Sequence, residues 1–207
     1  EYIFAPSVDE IYPKGFSTYV TVEGLSEQLE GVARPGHFRG VATVVTVLLN
    51  TVRPDFAFFG QKDAQQTLVV KRLVRDLAFD TEVVVLPTVR EESGLALSSR
   101  NAYLSPEERR SAAVLYRALS QAKEVYVEGE RSARRLAAVA RAQIEAEPRV
   151  RIDYLTVTDA ETMEKLDRIP DDRPVLIAVA AHVGRTRLID NIVLQPARQK
   201  VRLSAEA

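Results

Sequence analysis

The stretch DFAFFGQKDAQQTLVVKRLVRDLAFDTEVVVLP, residues 55–87, decides the fold. It opens on a short continuous apolar run, Phe56 to Gly60, that stops at a glycine. Such a run reads as a strand covered on both faces, as in a parallel sheet. From about Lys62 to Phe79 the apolar period changes, and Leu68, Val69, Leu73, Val74 and Leu77 fall on one face of a helix. TEVVVLP, residues 81–87, is the next buried strand. Strand, helix and strand with short connections is the α/β signature, and it predicts part of a doubly wound, Rossmann-like parallel sheet.

Working outward, VATVVTVLLNTV (Val41 to Val52) is a nearly all-apolar helix closed by Arg53 and Pro54, predicted to be buried on most sides. GVARPGHFRG, residues 31–40, is punctuated like a loop. LSEQLEG is a short helical piece stopped by Gly31, and STYVTVEG (17–24) alternates like a strand. Tyr2 to Phe4 read as the end of a buried strand already under way at Glu1, so a preceding segment is expected.

After Pro87 the pattern changes. TVREESGLALSSRN, residues 88–101, is polar and loop-like. Ser105 caps a helix with Pro106 at its first position and Glu108 closing a capping box; it runs to about Val127 and stops at Gly129. A second helix spans about Ser132 to Glu147. VRIDYLTVTD, RPVLIAVAAHVG and TRLIDNIVL then read as three strands, the last two joined by a tight turn at Gly184-Arg185. The expected organisation is the C-terminal half of a doubly wound domain (1–88), a smaller α+β lid domain with a three-stranded antiparallel sheet (89–195), and a polar tail (196–207).

At about 150 residues per domain, 207 residues make one large domain or two small ones. A net charge of −1 gives no basic surplus for nucleic acid. The absence of Cys excludes a disulfide framework, a thiolate metal site and a Cys nucleophile, and His37 and His182 alone nearly exclude a multi-histidine metal site. No apolar run approaches the roughly 20 residues that span a membrane. A cytoplasmic protein that binds neither nucleic acid nor membrane is the expectation.

Three segments could carry chemistry. In FAFFGQKDAQQ a strand, Gly60 and a helix start bring Lys62, Asp63 and Gln66 to the carboxyl end of a parallel strand, where open α/β sheets hold ligands. Free N–H groups and a positive end suit phosphate there, and Lys62 and Gln66, four apart, share a face. The bland alternative is a turn glycine and a solvated first turn. In LALSSRN, Ser98 and Ser99 beside Arg100 make an anion clamp, or else a polar interdomain loop with Arg100 in a structural ion pair. In RPGHFRG, His37, with Arg34 and Arg39 nearby, could hold a carboxylate or move a proton, or it could sit at a helix start or in a mobile loop. His182 reads as structural; Glu91-Glu92 and Asp171-Asp172 read as solvated loops.

FFGQKDAQQ, then PTVREESGLALSSRNAYLSPEER, then VAAHVGRTRLIDNI together resemble the pantothenate synthetase (pantoate–β-alanine ligase) family of the nucleotidyltransferase superfamily. The resemblance extends from APSVDEIYP through RPGHFRGVATVV to LIDNIVL. It implies ATP-dependent joining of pantoate to β-alanine through pantoyl adenylate, with AMP and pyrophosphate released. It implies ATP contacts at Gly60, Gln61, Lys62 and Asp63, with Lys62 on the phosphates and Gly60 and Asp63 near the ribose. Gln66 matches the pantoate-binding glutamine, and Val89 the residue whose backbone meets adenine. Leu97, Ser98, Ser99 and Arg100 match the phosphate clamp, making Lys62 and Arg100 the catalytic candidates; Arg34 and His37 match an active-site loop. Mg²⁺ carried on the ATP phosphates and a homodimer are also implied.

The chain departs from the family pattern at Gln61, where Glu is usual, at Ala64, where an aromatic is common, and at Leu97, where Met is usual. His182 falls where some members have Arg. The family's opening strand, its His-x-x-His helix and a further pantoate-binding Gln have no counterpart here, roughly ninety residues or about one mononucleotide-binding half. The fragment alone is therefore expected to be inactive. Two other readings stay open: another adenylate-forming nucleotidyltransferase, and a non-catalytic fragment that only folds or dimerises.

Overall fold

The computed structural model describes residues 2–196. The chain divides into two compact units, residues 1–88 and 89–207. The first unit contains α1 (Val8–Ile11), α2 (Glu30–Ala33), α3 (His37–Val52), β1 (Phe56–Gly60), α4 (Ala64–Asp76) and β2 (Glu82–Leu86). β1 and β2 pair in parallel, with Phe56 opposite Glu82 and Gly60 opposite Leu86. α4 is the crossover that a parallel pair requires. It buries Val69, Val70 and Leu73. Leu77, assigned to that face by period, is instead 51% exposed, because α4 ends at Asp76 and Ala78 turns into left-handed backbone at φ 52°.

Several expectations for this unit need correcting. β1 is not covered on both faces: Phe56 and Phe58 are exposed while Ala57 and Phe59 are half-buried. Side chains two apart share a strand face, and α4 packs on β1 and β2; among the described residues nothing covers the face of the two phenylalanines. Tyr2–Phe4 are exposed and form no strand, and residues 17–24 join no ladder. The only ladder among the described residues of this unit joins β1 to β2, and the Val20 amide donates instead to Thr43 Oγ1 at 3.0 Å.

Residues 31–40, expected as a loop, hold most of α2 and the first turn of α3. Gly36 at φ 78° makes the left-handed turn that starts α3 at His37. α3 is fully buried only at Phe38, Ala42, Thr43 and Leu49, since α4 is the one helix that packs extensively along it among the described residues. Gly31 sits inside α2 rather than stopping a helix; a Cβ there would collide with the Ser26 carbonyl.

The second unit contains α5 (Pro106–Ala112), α6 (Val114–Val127), α7 (Ala133–Glu145), β3 (Val150–Asp159), β4 (Val175–Val183) and β5 (Thr186–Leu194). The strands form an antiparallel sheet in the order β3-β4-β5. Ser105 and Glu108 form the expected capping box, with Pro106 in the first turn. The single helix expected from Pro106 to Val127 is broken at Ala113. Ser111 to Leu115 are all buried, and a straight helix of 3.6 residues per turn cannot bury five in a row on one side. α6 and α7 cover the sheet with Leu115, Leu119, Leu136 and Ile144, against Ile177, Val179 and Leu194. Gly184 turns β4 into β5 at φ 56°, and a Cβ there would strike the Glu108 carboxylate. The mixed α/β class holds: a parallel pair in one unit, a separate three-stranded antiparallel sheet in the other. Of the polar tail at 196–207, all but Pro196 lies outside the described residues.

Candidate functional site

In the first unit the candidates gather where β1 hands over to α4. Gly60 is extended (φ −83°), and a Cβ on it would meet nothing within 4 Å. Neither backbone strain nor protein packing demands glycine there; what its lack of side chain leaves is open surface. Gln61, Lys62 and Asp63 form a 3₁₀ turn, so Lys62 precedes α4 rather than opening it. The Lys62 side chain is largely buried, and Nζ lies 3.6 Å from Asp63 Oδ1. Asp63 sits at the N-cap position of α4 without a capping bond from its side chain. Gln66, half-buried, lies in the first turn of α4.

Its neighbour Gln65 was not singled out by the sequence and does different work. Gln65 is buried, donates Nε2 to the Leu25 and Gln28 carbonyls at 2.7 and 2.8 Å, and accepts the Glu30 amide on Oε1 at 3.0 Å. It ties residues 25–30 to α4. The signal was present in helical phase, because Gln65 is in register with the buried Val69 and Leu73.

Arg34 and His37 meet: the guanidinium Nη1 lies 2.9 Å from His37 Nε2. A guanidinium only donates, so Nε2 is the acceptor in this arrangement. Of the two bland readings of the RPGHFRG segment, the helix start is the one found.

Residues 88–101, of which all but Thr88 belong to the second unit, are no loose linker. The Glu91 amide donates to Leu95 O and the Leu97 amide to Val89 O, both at 2.9 Å, and Arg90 bridges Ala96. These bonds fold a small hairpin that brings Val89 and Leu97 side by side, both exposed. Its tip turns at Gly94 (φ 88°), where a Cβ would come within 2.6 Å of the Tyr116 ring. Ser98 then caps the 3₁₀ turn Ser99–Tyr103 by accepting the Arg100 amide at 3.2 Å. Ser99 is exposed and Arg100 half-buried, with Nη1 donating to Arg187 O at 3.1 Å. Arg100 therefore bonds a carbonyl; the buried structural ion pair belongs to Arg90, which the sequence reading passed over. Arg90 grips Asp190 through both guanidinium nitrogens at 2.6 and 2.9 Å.

Glu91 is not the solvated acid expected. Arg109 donates to it at 2.8 and 2.9 Å, and Asn101 Nδ2 at 3.0 Å. The Arg109 bonds hold its carboxyl below the usual value, burial opposes them, and Asn101 adds to the lowering. Glu91 in turn raises Arg109. Asp171 and Asp172 are the exposed loop acids expected; Asp171, 75% exposed, meets Arg131 at 3.0 Å. His182 lies in β4, paired with Arg187 of β5 and Arg151 of β3. Among the described residues no helix is long and apolar enough to cross a membrane.

A family model described as pantoate-beta-alanine ligase matches residues 1–193. The chain is 55% identical over 193 residues to the pantothenate synthetase of Moorella thermoacetica, covering 93% of this chain and 68% of that protein. It is 55% identical over 192 residues to that of Pelotomaculum thermopropionicum, covering 93% and 67%. The crystal structure of the Thermus thermophilus pantothenate synthetase is similar with a TM-score of 0.85 and 51% identity, over 91% of this chain and 68% of that one. A pantoate-beta-alanine ligase from Francisella tularensis, complexed with beta-gamma ATP and beta-alanine, is similar with a TM-score of 0.66 and 31% identity, over 89% and 61%.

Proposed function

The chain belongs to the pantoate-beta-alanine ligase family, and from that premise we propose that it takes part in the ATP-dependent joining of pantoate to β-alanine through an acyl adenylate. In the first step a pantoate carboxylate oxygen bonds to the α-phosphorus of ATP, and the bond to the bridging oxygen breaks to release pyrophosphate. In the second, the β-alanine amine bonds to the acyl carbon. The carbon–oxygen bond to AMP breaks, and the nitrogen loses a proton.

The observation that carries this reading is the handover from β1 to α4. An open glycine, a lysine and an aspartate lie there in sequence at the carboxyl end of a parallel pair. That is where α/β sheets take nucleotides. Lys62 faces charge growing on the phosphates. Gly60, Gln61 and Asp63 line the nucleotide and Gln66 bonds pantoate. Val89 meets adenine through its backbone, and Leu97, Ser98, Ser99 and Arg100 clamp phosphate on the hairpin of the second unit, which acts as a lid. Arg34 and His37 serve an active-site loop. Mg²⁺ would be carried on the ATP phosphates, whose charge it would neutralise; among the described residues no three acids or histidines gather to hold a metal ion. The whole enzyme is a homodimer in this reading. Residues 1–207 alone make no pantothenate, because the sequence contains no His-x-x-His pair.

The test is pyrophosphate exchange into ATP by the whole enzyme. Exchange that requires pantoate supports the reading. Exchange driven by another acid, with pantoate inert, points to a different adenylate-forming enzyme.

A further inference from the structure

The hairpin that carries Val89 and Leu97–Arg100 is anchored at both ends to one strand. At its start, Arg90 donates Nη1 to Asp190 Oδ2 at 2.6 Å and Nη2 to Asp190 Oδ1 at 2.9 Å. At its end, Arg100 donates to the Arg187 carbonyl, three residues earlier on β5. Asp190 is oriented in turn by the Asn191 amide, which donates to Oδ1 at 2.8 Å. Arg90 also reaches the Gly94 carbonyl at 3.0 Å, closing the hairpin tip on its own first rung. Its guanidinium lies 3.8 Å over the Tyr116 ring, the same ring that leaves no room for a Cβ at Gly94. The two side chains are 15% and 3% exposed.

A buried ion pair is a poor device for stability alone, since apolar residues of like volume often serve as well or better. What a planar fork on a carboxylate supplies is orientation: two parallel bonds accept one arrangement, and a point charge does not reproduce it. We propose that Arg90 and Asp190 are positioning residues for the ATP reaction, fixing the hairpin on β5 so that Val89 and Leu97–Arg100 stand in one arrangement before nucleotide arrives. The ordering entropy of the clamp is then lost on folding and not on binding. The inference rests on the reading that these hairpin residues meet ATP.

The experiment is Arg90→Lys in the whole enzyme, which keeps the charge and loses the fork. Small misplacements far from the reacting atoms cost up to about 10²-fold. For a clamp held at one end we expect KM for ATP to rise about tenfold, with KM for pantoate and β-alanine within about twofold. Hydrogen exchange at the Leu97 amide, which donates to Val89 O, should speed up about tenfold or more. In an Arg100→Ala background, Arg90→Lys should add less than about twofold, since both act through one clamp. A lower Tm with all three KM values shifted alike, or with none shifted, overturns the proposal and leaves Arg90 a structural residue.

If Arg90→Lys does not fold, Tyr116→Leu removes the supporting ring and spares the ion pair. A rise of about threefold in KM for ATP alone is then expected, and an unchanged KM for ATP overturns the proposal. Arg100→Ala by itself separates the two layers. If it leaves KM for ATP unchanged, the ATP reading of the hairpin is wrong. If it raises KM for ATP and Arg90→Lys does not, only the positioning inference fails.

Discussion

The β1–α4 connection and the hairpin at residues 89–101 hold their polar groups by opposite means. At the connection, main-chain topology does the holding: a parallel pair ends at Gly60, and Lys62 and Asp63 stand in the turn that follows. In the hairpin, side chains do it, through Arg90 on Asp190, Arg109 and Asn101 on Glu91, and Tyr116 under the guanidinium. Positions presented by topology tolerate exchange of their side chains without loss of fold. Positions presented by a buried network do not, because each member leaves its partner unsatisfied.

The sharpest way to break this contrast is Asp190→Ala. It strands a buried guanidinium, and removing one partner of such a pair costs about 3–5 kcal/mol. Urea unfolding of the whole enzyme, with hydrogen exchange to localise the loss, should show unit 2 weakened by that amount and the α4 amides unchanged. A loss below about 1 kcal/mol, the worth of a surface pair, would mean that the hairpin is held by its backbone bonds instead. Lys62→Ala makes the opposite demand. Stability should fall by no more than about 1 kcal/mol, while adenylate formation falls about 10²–10³-fold, the scale of one lost transition-state contact. Lys62→Arg should rescue poorly, since a planar fork does not replace a point charge. Single-turnover measurement of adenylate decides it, and a near-normal rate removes Lys62 from the chemistry.

The adjacent glutamines test the contrast within one helix turn. Gln65→Ala leaves the Leu25 and Gln28 carbonyls and the Glu30 amide without their side-chain partner. It should cost about 1–3 kcal/mol of stability. Gln66→Ala should leave stability nearly untouched and weaken pantoate by about 1–3 kcal/mol, with ATP affinity unmoved. Calorimetric titration with each ligand separates them; equal losses for ATP and pantoate would show Gln66 to be misassigned.

What the sequence made legible follows the same division. The βαβ crossover, the Ser105 cap and the β4–β5 turn rest on local signals, namely a run of apolar residues, a Ser-Pro-Glu-Glu start and a Gly-Arg turn, and all three are found. Residues 17–24 have strand composition, yet a strand exists only when another chain segment offers its carbonyls, which no local pattern can promise. The start of α3 at His37 was hidden by Gly36 and Gly40, which look like loop punctuation. In fact Gly36 supplies the left-handed turn before the helix and Gly40 lies within its first turns. Arg90–Asp190 joins positions one hundred residues apart. Neither residue is unusual in its own neighbourhood, so only the fold reveals that they meet. The support of the candidate stretches was legible only in part: helical phase puts Gln65 with the buried Val69 and Leu73, while nothing local marks Arg90.

The smallest expected effect concerns Glu91, the hairpin's second tie. Its carboxyl titrates below the usual value near 4.5, first because Arg109 bonds it, against a burial penalty, and then because Asn101 does. A carboxyl with a depressed folded value binds fewer protons folded than unfolded, so its contribution rises with pH through the window between the two values. It is fully present above the unfolded value and disappears as pH falls through the folded one. Arg109 is half-exposed, so solvent screens the pair and the whole effect should stay within about 1 kcal/mol. The local readout is the protection of the Glu91 amide, which donates to Leu95 O, and of the Leu97 amide, which donates to Val89 O. With intrinsic exchange rates divided out, protection at both should drop in the parent enzyme as pH falls below the usual carboxylate value near 4.5, by up to about fivefold. In Glu91→Gln it should start lower and stay flat over the same range. Parallel curves for the two proteins would show that the hairpin draws its order from Arg90 and Asp190 alone and that the Glu91 tie only decorates it.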